Sequence, residues 1–315
     1  MPVQIRSYKN EDLPLLVRLL NRTKQGSYEF FPFTEQKFQQ WIIEGKFEIL
    51  LAELNGETIG SVAYSDGHWG EEIRWLAVTE NPVSKLVEES LVKEIEKHVK
   101  RSEIFTSVDA GSIEIDKWMA FGYRCEGGLC HMQARLDGVK TVPKAPDGIV
   151  MRSLRPDEEM ALVEAVNAGF GWERLKMGLI QRWKEDCPPF TEDWIRVAEN
   201  NDRLISVVAS RTDADYNKRF GGKRGYLGPA ATLPEFRGKN LASILTRRAM
   251  NLLFEKGLDS VALYTSEQNV ASTTLLRKLG FEVAHQWKFM RKNLTQNETQ
   301  VLKNREPSCM SCPDD

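Results

Sequence analysis

Apolar and polar positions along this chain follow a pattern that occurs twice. Ile5–Asp12 has the composition of a short strand and an acidic turn, and a stretch with helical apolar periodicity then runs to Asn21. Met151–Glu158 and the stretch ending at Asn167 repeat this pattern 146 residues later. Each segment predicts a strand followed by an amphipathic helix. The chain is therefore predicted to contain two copies of one fold.

The interiors and ends of the two copies also correspond. Asn55-Gly56 and Asn200–Asp202 each separate two apolar runs, and they predict hairpin turns. Gly122 and Gly280 close the last helical pattern of each copy at an offset of 158 residues, so the second copy contains about twelve more residues. The polar, Gly-rich segment Asp213–Gly222 is the predicted insertion, interpreted as a hairpin tip.

Antiparallel strands followed by strand–helix–strand–helix predict a mixed α/β fold, in which each copy is a twisted, largely antiparallel sheet flanked by helices. The predicted domains are residues 1–139 and 149–293, joined by the Pro-containing polar linker 140–148. Residues 294–315 are rich in Gln, Asn, Glu, Ser and Pro, and we predict a disordered tail there.

Composition restricts the class of protein. Among 315 residues 41% are hydrophobic and 28% charged, which is ordinary for a globular protein. Apolar runs are far shorter than the ~20 residues that span a bilayer, and charged residues interrupt the region where a signal peptide would be apolar. The net charge of −2 gives no sign of a nucleic-acid binder. We therefore expect a cytoplasmic protein with no membrane or nucleic-acid partner.

The charge is divided unevenly between the copies. Residues 1–147 carry 18 Lys and Arg against 23 Asp and Glu, whereas the remainder carries 25 against 22. This asymmetry favours an anionic ligand in the second copy, although random variation of surface charge explains it equally well.

Five cysteines are too few to form a disulfide framework in a chain of this length. Cys125, Cys130 and His131 are possible metal ligands, but the sequence provides no fourth ligand, and burial of small side chains on a strand explains the cysteines better. We interpret Cys309 and Cys312 as part of an exposed tail. No metal is predicted.

The most informative segment is Gly225–Ala242, which has the pattern of a strand, a turn and a helix that starts at Leu241 and ends before Gly257. The first N–H groups of a helix have no partner within the helix, so small residues there leave them open to an anion. Arg237 and Lys239 add positive charge nearby. On spacing alone, an ordinary strand–turn–helix corner with surface charges is an equally good interpretation.

The segment Pro234–Ala242 resembles the acetyl-CoA motif of the GNAT N-acyltransferases, whose pattern is Arg/Gln-x-x-Gly-x-Gly/Ala. Arg237 matches the first position and Ala242 the last, while Asn240 replaces the usual central glycine. Asn tolerates a positive φ better than other non-glycine residues, so we expect the turn to be retained. The resemblance extends over residues 149–293 through strand 261–265 and the Asn269…Gly280-Phe281 segment.

The resemblance implies two tandem GNAT-type domains, of which the second binds acetyl-CoA as a co-substrate and transfers the acetyl group to a primary amine by direct attack. Backbone N–H groups of residues 231–233 would polarise the thioester carbonyl, and Asn269 would face the pantetheine arm. The residues implied in cofactor binding are Ala231, Thr232, Leu233, Arg237, Gly238, Lys239, Asn240, Leu241, Ala242 and Asn269.

The first copy lacks this motif. Its matching segment, Val78–Glu89, contains no glycine, and Glu88 and Glu89 would repel a pyrophosphate. We expect this copy not to bind acetyl-CoA.

The catalytic groups are less evident. Many members of the family have a tyrosine four residues before the Gly of Gly-Phe, and this chain has Leu276 there. Tyr264 is a candidate acid and Glu173 a candidate base, although a core tyrosine and a solvated surface glutamate are the simpler interpretations. The alternative function is a non-catalytic acyl-CoA sensor or scaffold. The sequence leaves open the small-molecule or peptide amine acceptor, the acyl length and the oligomeric state.

Overall fold

The computed structural model describes residues 3–67 and 70–294, which divide into two compact units. The first comprises the described residues up to 128 together with those from 287 onwards, and the second comprises residues 129–286. Most of the predicted tail, including Cys309 and Cys312, lies outside the described residues.

The first unit has a mixed sheet with the strand order β1-β2-β3-β4-β5-β12. Only β4 and β5 are parallel in this sheet, as far as the described residues show. Its elements are β1 (Gln4–Ser7), α1 (Leu13–Lys24), α2 (Glu35–Gly45), β2 (Glu48–Leu54), β3 (Glu57–Gly67), β4 (Gly70–Val78), α3 (Ser84–Glu96), β5 (Glu103–Asp109), α4 (Glu114–Ala120) and the outer part of β12 (Glu282–Asn293).

The second unit repeats this plan with the strand order β6-β11-β10-β9-β8-β7. Here β10 and β11 form the parallel pair. Its elements are most of β6 (Arg124–Arg135), then β7 (Val150–Ser153), α5 (Glu159–Phe170), α6 (Leu179–Asp186), β8 (Ile195–Asn200), β9 (Arg203–Thr212), α7 (Ala214–Phe220), β10 (Arg224–Thr232), α8 (Leu241–Glu255), β11 (Ser260–Ser266) and α9 (Val270–Lys278).

The predicted fold class, a mixed α/β fold, is confirmed, and both hairpins form as expected. Asn55 and Gly56 have φ values of 56° and 82°, and Asn201 and Asp202 have 48° and 58°, which is the geometry of two-residue hairpin turns. The predicted hairpin tip at 213–222 is wrong, because residues 214–220 form helix α7 instead. Gly221 ends this helix in the left-handed conformation, so the glycine signal marked a helix end.

The division of the chain also differs from the predicted domain boundaries. Each copy was expected to contain its own last strand. Instead, residues 129–135 of β6 pair with β11, and residues 287–293 of β12 pair with β5. The two copies therefore exchange their last strands. Apolar alternation identifies a strand but does not identify its neighbour, which explains the difference.

The two copies contain equivalent salt bridges, which support the repeat predicted from the sequence. Arg6 forms a bidentate pair with Asp12 at 2.7 and 2.8 Å and also contacts Glu53. Arg152 does the same with Glu158, at 2.7 Å for both bonds, and with Glu199. These pairs join the first strand of each copy to the start of its first helix and to its second strand.

An asparagine fixes the loop that follows this first helix in both copies. Asn21 donates to the carbonyl of Phe33 and accepts from its N–H group, at 3.0 and 2.8 Å. Asn167 makes the same two bonds with Leu175, at 3.0 and 2.8 Å. This loop is consequently held at the same place in each unit.

Apolar side chains cover both faces of the first sheet. One core contains residues of α1, α2 and the inner strands, including Leu16, Phe38 and Trp75. The other core packs α3 and α4 on the opposite face, through residues that include Leu91 and Trp118. The unit is thus a sheet between two helical layers, and both cores are of ordinary aliphatic and aromatic composition.

In both units a β-bulge lies where the parallel strands separate. In β4 the register with β3 shifts around Arg74, and in β10 the register with β9 shifts between Leu227 and Ala230. A bulge bends its strand and increases the local twist. Each parallel ladder covers only three residue pairs, so the carboxyl ends of the two strands enclose a cleft.

No helix among the described residues is long and apolar enough to cross a membrane. The same residues contain no group of three or more His, Cys, Asp and Glu side chains placed to hold a metal ion.

Candidate functional site

The candidate site lies at the end of the cleft in the second unit. The ladder between β10 and β11 joins residues 224–226 with residues 260–262, and β10 then continues to Thr232 without this partner. A turn of 3-10 helix at Pro234–Phe236 leads from β10 to α8. The cleft therefore opens next to the N-terminus of α8, the helix end at which the sequence predicts an anion site.

The turn before α8 contains two residues in the left-handed conformation. Gly238 has a φ of 78°, and Asn240 has a φ of 62° at the position immediately before the helix. The expectation that Asn240 retains the turn is confirmed. A Cβ atom built on Gly238 would meet no atom within 4 Å, so open space lies in front of this backbone. Gly238, Lys239 and Asn240 are exposed, so the turn has the room that a pyrophosphate needs beside the first N–H groups of α8.

The two basic residues of the turn have different environments. Arg237 donates hydrogen bonds to the carbonyls of Thr232 at 3.3 Å and Gly169 at 2.8 Å, so it joins β10 to the end of α5. The Lys239 ammonium lies 4.9 Å from the centre of the Phe236 ring and is exposed. Both charges lie close to the turn. Both side chains are exposed to solvent.

Only part of the predicted N–H set on β10 faces the cleft. The N–H of Leu233 donates to the carbonyl of Ile205 on β9 at 2.9 Å. Because successive N–H groups of a strand point to opposite sides, the N–H of Thr232 points away from β9, toward the cleft. The prediction that Leu233 polarises the thioester carbonyl is therefore wrong. By the same alternation Ala231 also faces β9, since it is in register with Val207.

The start of α9 is as expected for an asparagine cap. The side chain of Asn269 accepts a hydrogen bond from the N–H of Ser272 at 3.1 Å. Asn269 is exposed. Its contact with a pantetheine arm stays a prediction. Leu276 in the same helix is buried, with 4% of its surface exposed, so it belongs to the core of the unit.

The two catalytic candidates lie in contrasting surroundings. Tyr264 on β11 is 44% exposed, and its ring stacks on His131 of β6 with 4.5 Å between ring centres. Glu173, in the α5–α6 loop, has a side chain that is 66% exposed and pairs with Lys176 at 3.3 Å. This is the environment of a solvated surface glutamate. Tyr264 therefore keeps more support than Glu173 as a group that contacts substrate.

A cluster of aromatic and cationic side chains near Tyr264 was missed in the sequence. Arg211 on β9 lies 4.3 Å from the ring centre of Tyr226 and 5.1 Å from that of Trp183. Its guanidinium donates to the carbonyl of Gly228 at 2.6 Å, which fixes it beside the bulge. The signal for this cluster is the cross-strand register of Arg211 and Tyr226, and a single sequence does not show that register.

Burial raises the pKa of the Tyr226 phenol, while the positive charges of Arg211 and Arg174 act in the opposite direction. The Tyr226 hydroxyl also forms a hydrogen bond with the backbone of Tyr264. Tyr226 is therefore protonated at neutral pH. It lies on β10, in register with Ala262 of β11 at the last pair of the parallel ladder.

The equivalent turn of the first unit is closed by its own hydrogen bonds. The Asn81 side chain accepts from the N–H of Val83 at 2.9 Å, and the Asn81 carbonyl accepts from the N–H of Ser84 at 3.1 Å. Two N–H groups at the start of α3 are thus engaged within the turn. This difference supports the expectation that the first copy does not bind acetyl-CoA.

The two carboxylates that were expected to repel a pyrophosphate at this turn are both paired with lysines. Glu88 pairs with Lys117 at 3.0 Å, and Glu89 pairs with Lys93 at 3.1 Å. These lysines compensate much of the negative charge that was expected to repel a pyrophosphate. The occupied N–H groups therefore support the expectation that this copy does not bind acetyl-CoA better than the two carboxylates do.

Comparison with known proteins agrees with the geometry of the second unit. Residues 153–281 match the acetyltransferase (GNAT) family. The C-terminal region of this chain is therefore a domain of that family, as the motif at Arg237–Ala242 predicted.

A relative named mycothiol acetyltransferase, from Saccharomonospora viridis, is 28% identical over 152 residues, which are 44% of this chain and 48% of that protein. The chain therefore spans about half the length of the curated relatives it matches. The 152 aligned residues are close in number to the offset of 146 residues between the two copies.

Two solved structures resemble the fold over nearly the whole chain. A GCN5-related N-acetyltransferase from Sphaerobacter thermophilus has a TM-score of 0.64 at 18% identity, and the match covers 93% of this chain and 96% of that one. A tandem GNAT protein from the clavulanic acid biosynthesis pathway has a TM-score of 0.62 at 14% identity, covering 93% and 99%. At such identities the likeness concerns the fold alone.

Proposed function

We propose that the second unit transfers an acetyl group from acetyl-CoA to a primary amine, and that the first unit takes no part in the chemistry. The observation that carries the proposal is the left-handed turn at Gly238 and Asn240, which opens the N-terminus of α8 beside the cleft. The family match over residues 153–281 supports the same activity.

The residues present fit acetyl-CoA as the co-substrate, which supplies an acetyl thioester. N–H groups of residues 238–242 receive the pyrophosphate, and the positive end of α8 adds to the attraction. The N–H of Thr232 lies on the cleft side of β10, where it donates to the thioester carbonyl. Polarising that carbonyl favours the charge that develops on its oxygen.

The amine attacks the carbonyl carbon directly, forming the C–N bond as the C–S bond breaks. The amine loses a proton to water and the departing thiolate gains one, and Leu276 provides no acid at the usual position. Catalysis therefore rests mainly on proximity and on the polarised carbonyl. Tyr264 is the candidate acid, since it is exposed at the cleft end of β11.

The acceptor enters from the side of the α5–α6 loop. Trp172 and Arg174 lie in this loop, with the Arg174 guanidinium 5.7 Å from the Trp172 ring. The proposed acceptor is a small-molecule or peptide amine. Amines of the mycothiol type are included because the relative from Saccharomonospora viridis is named mycothiol acetyltransferase. We further propose that the protein is cytoplasmic, needs no metal, and acts without nucleic acid or membrane.

The second candidate function is a sensor or scaffold that holds acyl-CoA without turnover. Leu276 favours it, because burial of an apolar residue at this position removes the usual acid.

A coupled assay separates the two functions. Release of free CoA from acetyl-CoA is followed by thiol detection across a panel of amines, with calorimetric titration of acetyl-CoA in parallel. The proposed enzyme binds acetyl-CoA and releases thiol in the presence of at least one amine. If acetyl-CoA binds but no amine in the panel causes release of thiol, the protein is the sensor. If acetyl-CoA neither binds nor releases thiol, the proposal is contradicted.

Substituting the candidate acid tests the chemistry in more detail. Tyr264→Phe is expected to lower kcat by about 10²-fold or more if Tyr264 donates a proton. Glu173→Gln is the matched control, and we expect an unchanged kcat because Glu173 is solvated. A lower kcat in Glu173→Gln together with an unchanged kcat in Tyr264→Phe would contradict the role of Tyr264 and favour Glu173 as the catalytic group.

A further inference from the structure

The guanidinium of Arg211 on β9 has no role in the proposed reaction. It donates one hydrogen bond, to the carbonyl of Gly228 at 2.6 Å. Within the described part of the chain it forms no ion pair. A guanidinium carries five N–H donors, and the Arg211 side chain is only partly buried. Most of its donors are therefore available to solvent or to a ligand.

Two aromatic rings hold this guanidinium in one orientation. Its central carbon lies 4.3 Å from the ring centre of Tyr226 and 5.1 Å from that of Trp183 on α6. Cations at such distances are attracted to the ring faces. The two rings and the Gly228 carbonyl thus fix a planar, charged group. A fixed guanidinium is suited to a carboxylate, which accepts two parallel N–H bonds.

Arg211 lies on the face of the sheet that carries the candidate acid. Arg211 and Tyr226 are opposite each other in the ladder between β9 and β10, so their side chains share a face. Tyr226 is in register with Ala262, and Tyr264 follows two residues later on β11. Side chains two residues apart on a strand point to the same side. The ring centres of Tyr226 and Tyr264 are 6.1 Å apart, so a single ring separates Arg211 from the candidate acid.

A second cation approaches this place from the α5–α6 loop. Arg174 is exposed, and its guanidinium carbon lies 6.0 Å from the ring centre of Phe170 and 5.7 Å from that of Trp172. None of the acidic residues that the structure describes pairs with it. The positive charges of Arg211 and Arg174 both oppose the rise that burial causes in the pKa of Tyr226. Both charges therefore act on the Tyr226 hydroxyl, one from β9 and one from the loop.

The neighbouring carboxylates leave a positive charge at this place. Asp213 raises the pKa of Tyr226, but by less than either arginine lowers it. Its carboxylate pairs with Arg224 at 2.8 Å. Asp186 and Asp215 are exposed, and neither forms an ion pair with the guanidinium on β9. An anion that enters between the loop and β9 therefore meets a net positive charge.

The residues at the equivalent place in the first unit are different. In the second unit, the second cross-strand pair before the bulge is Tyr226 with Arg211. In the first unit, the pair at this position is Glu72 with Ser65. Arg74 pairs with Glu72, so the charges at this place compensate each other within the unit. The fold therefore does not require an unpaired cation at this position, which favours a role for Arg211 in binding.

We propose that the amine acceptor of the second unit carries a carboxylate, and that Arg211 and Arg174 bind this carboxylate while the amine faces the acetyl thioester. This acceptor class rests on the proposed function, because it concerns the acceptor of that reaction. Primary amines in general are thereby narrowed to amino carboxylates. Arg211 and Arg174 determine specificity and take no part in bond formation.

Amines that differ only in their end group test the proposal on the full-length protein. Glycine, β-alanine and γ-aminobutyrate are each compared with the amino alcohol and the diamine of the same chain length, which carry a neutral and a positive end group. Calorimetric titration in the presence of saturating CoA measures binding, and release of free CoA from acetyl-CoA measures turnover. At the best chain length, the amino carboxylate is expected to bind at least about tenfold more tightly than the diamine, with the amino alcohol between them. Equal or tighter binding of the diamine at every length, or no binding of any amino carboxylate, overturns the proposal.

Variants locate the carboxylate. Arg211→Met is expected to lower the ratio of amino carboxylate to diamine affinity at least about tenfold, whereas Arg211→Lys retains the charge and the order of preference. Arg174→Met should lower the same ratio by a smaller factor, because Arg174 is exposed. Arg182→Met removes an exposed charge from α6 and is the matched control, with an unchanged ratio. An unchanged ratio in Arg211→Met, or an equal loss of all three classes of amine, contradicts the proposal, and circular dichroism verifies folding.

Loss of the acceptor preference and loss of the activity are distinguishable. Amines that are acetylated without preference for a carboxylate overturn the carboxylate site and leave the transfer reaction in place. Amino carboxylates that bind with the expected preference but release no CoA support the carboxylate site and contradict the transfer reaction.

Discussion

A carboxylate introduced at Gly238 should selectively remove acetyl-CoA binding. The backbone there has a φ of 78°, and open space lies in front of it, so Gly238→Glu places its charge beside the proposed pyrophosphate. At a separation of about 6 Å, two unit charges repel by ~0.7 kcal/mol in water and ~2.8 kcal/mol near a protein surface. The pyrophosphate carries about two charges, so a loss of at least ~1.4 kcal/mol, or tenfold in Kd, is expected.

Backbone strain must be separated from charge in this experiment. A non-glycine residue in the left-handed region costs roughly 1–2 kcal/mol wherever it occurs. Gly257 is a matched control, because it has a φ of 84° at the other end of α8 and a Cβ atom added to it would also meet no atom within 4 Å. Gly257→Glu therefore carries the same strain and charge away from the site. Gly238→Asn tests the strain without the charge.

Calorimetric titration with acetyl-CoA at low salt measures the effect. We expect Gly238→Glu to bind at least about tenfold more weakly than Gly257→Glu, with Gly238→Asn close to the parent protein. Ser84→Glu, at the equivalent turn of the first unit, should leave the affinity unchanged. Equal affinities of Gly238→Glu and Gly257→Glu would refute the placement of the pyrophosphate.

Three further predictions concern stability. The hydrogen bonds from Arg6 lower the pKa of Asp12, so this pair stabilises the fold above the ordinary carboxyl pKa of about 4 and loses its effect as the pH falls below it. Urea unfolding should show Asp12→Asn about 2 kcal/mol less stable at pH 7, with a gap that narrows toward pH 3; a constant gap would contradict this. Gly169→Ala would place a Cβ 2.9 Å from that of Ala231, so we expect a loss of about 1 kcal/mol despite the better helix propensity of alanine, and a raised urea midpoint would contradict the packing. Leu276→Tyr should lose ~1–3 kcal/mol by overpacking, measured by the same method, and a gain in turnover at unchanged stability would show that the residue faces the cleft.

The sequence predicted the parts of the fold that depend on local pattern. Gly257 ends α8 as expected, with the N–H of Leu258 donating to the carbonyl of Leu253 at 3.1 Å. Asn240 takes the conformation its side chain tolerates. These features follow from the residue itself and its immediate neighbours, so one sequence is enough to find them.

The predictions that were wrong concern features that depend on residues far away in the sequence. Helix α7 was missed because Asp213–Gly222 has turn composition throughout, although Asn217 and Tyr216 pack it against Arg224. The exchanged strands and the register of Arg211 with Tyr226 depend on which strands pair. The direction of the Leu233 N–H is also set by register. Local pattern carries no information on these points.

We propose that acetyl-CoA binds the second unit at the start of α8 and does not bind the first unit. Hydrogen exchange of the full-length protein with and without acetyl-CoA tests it most directly. We expect slower exchange in peptides that cover residues 230–244, with no change in peptides that cover residues 78–90. Protection of residues 78–90 with none at 230–244 would contradict it.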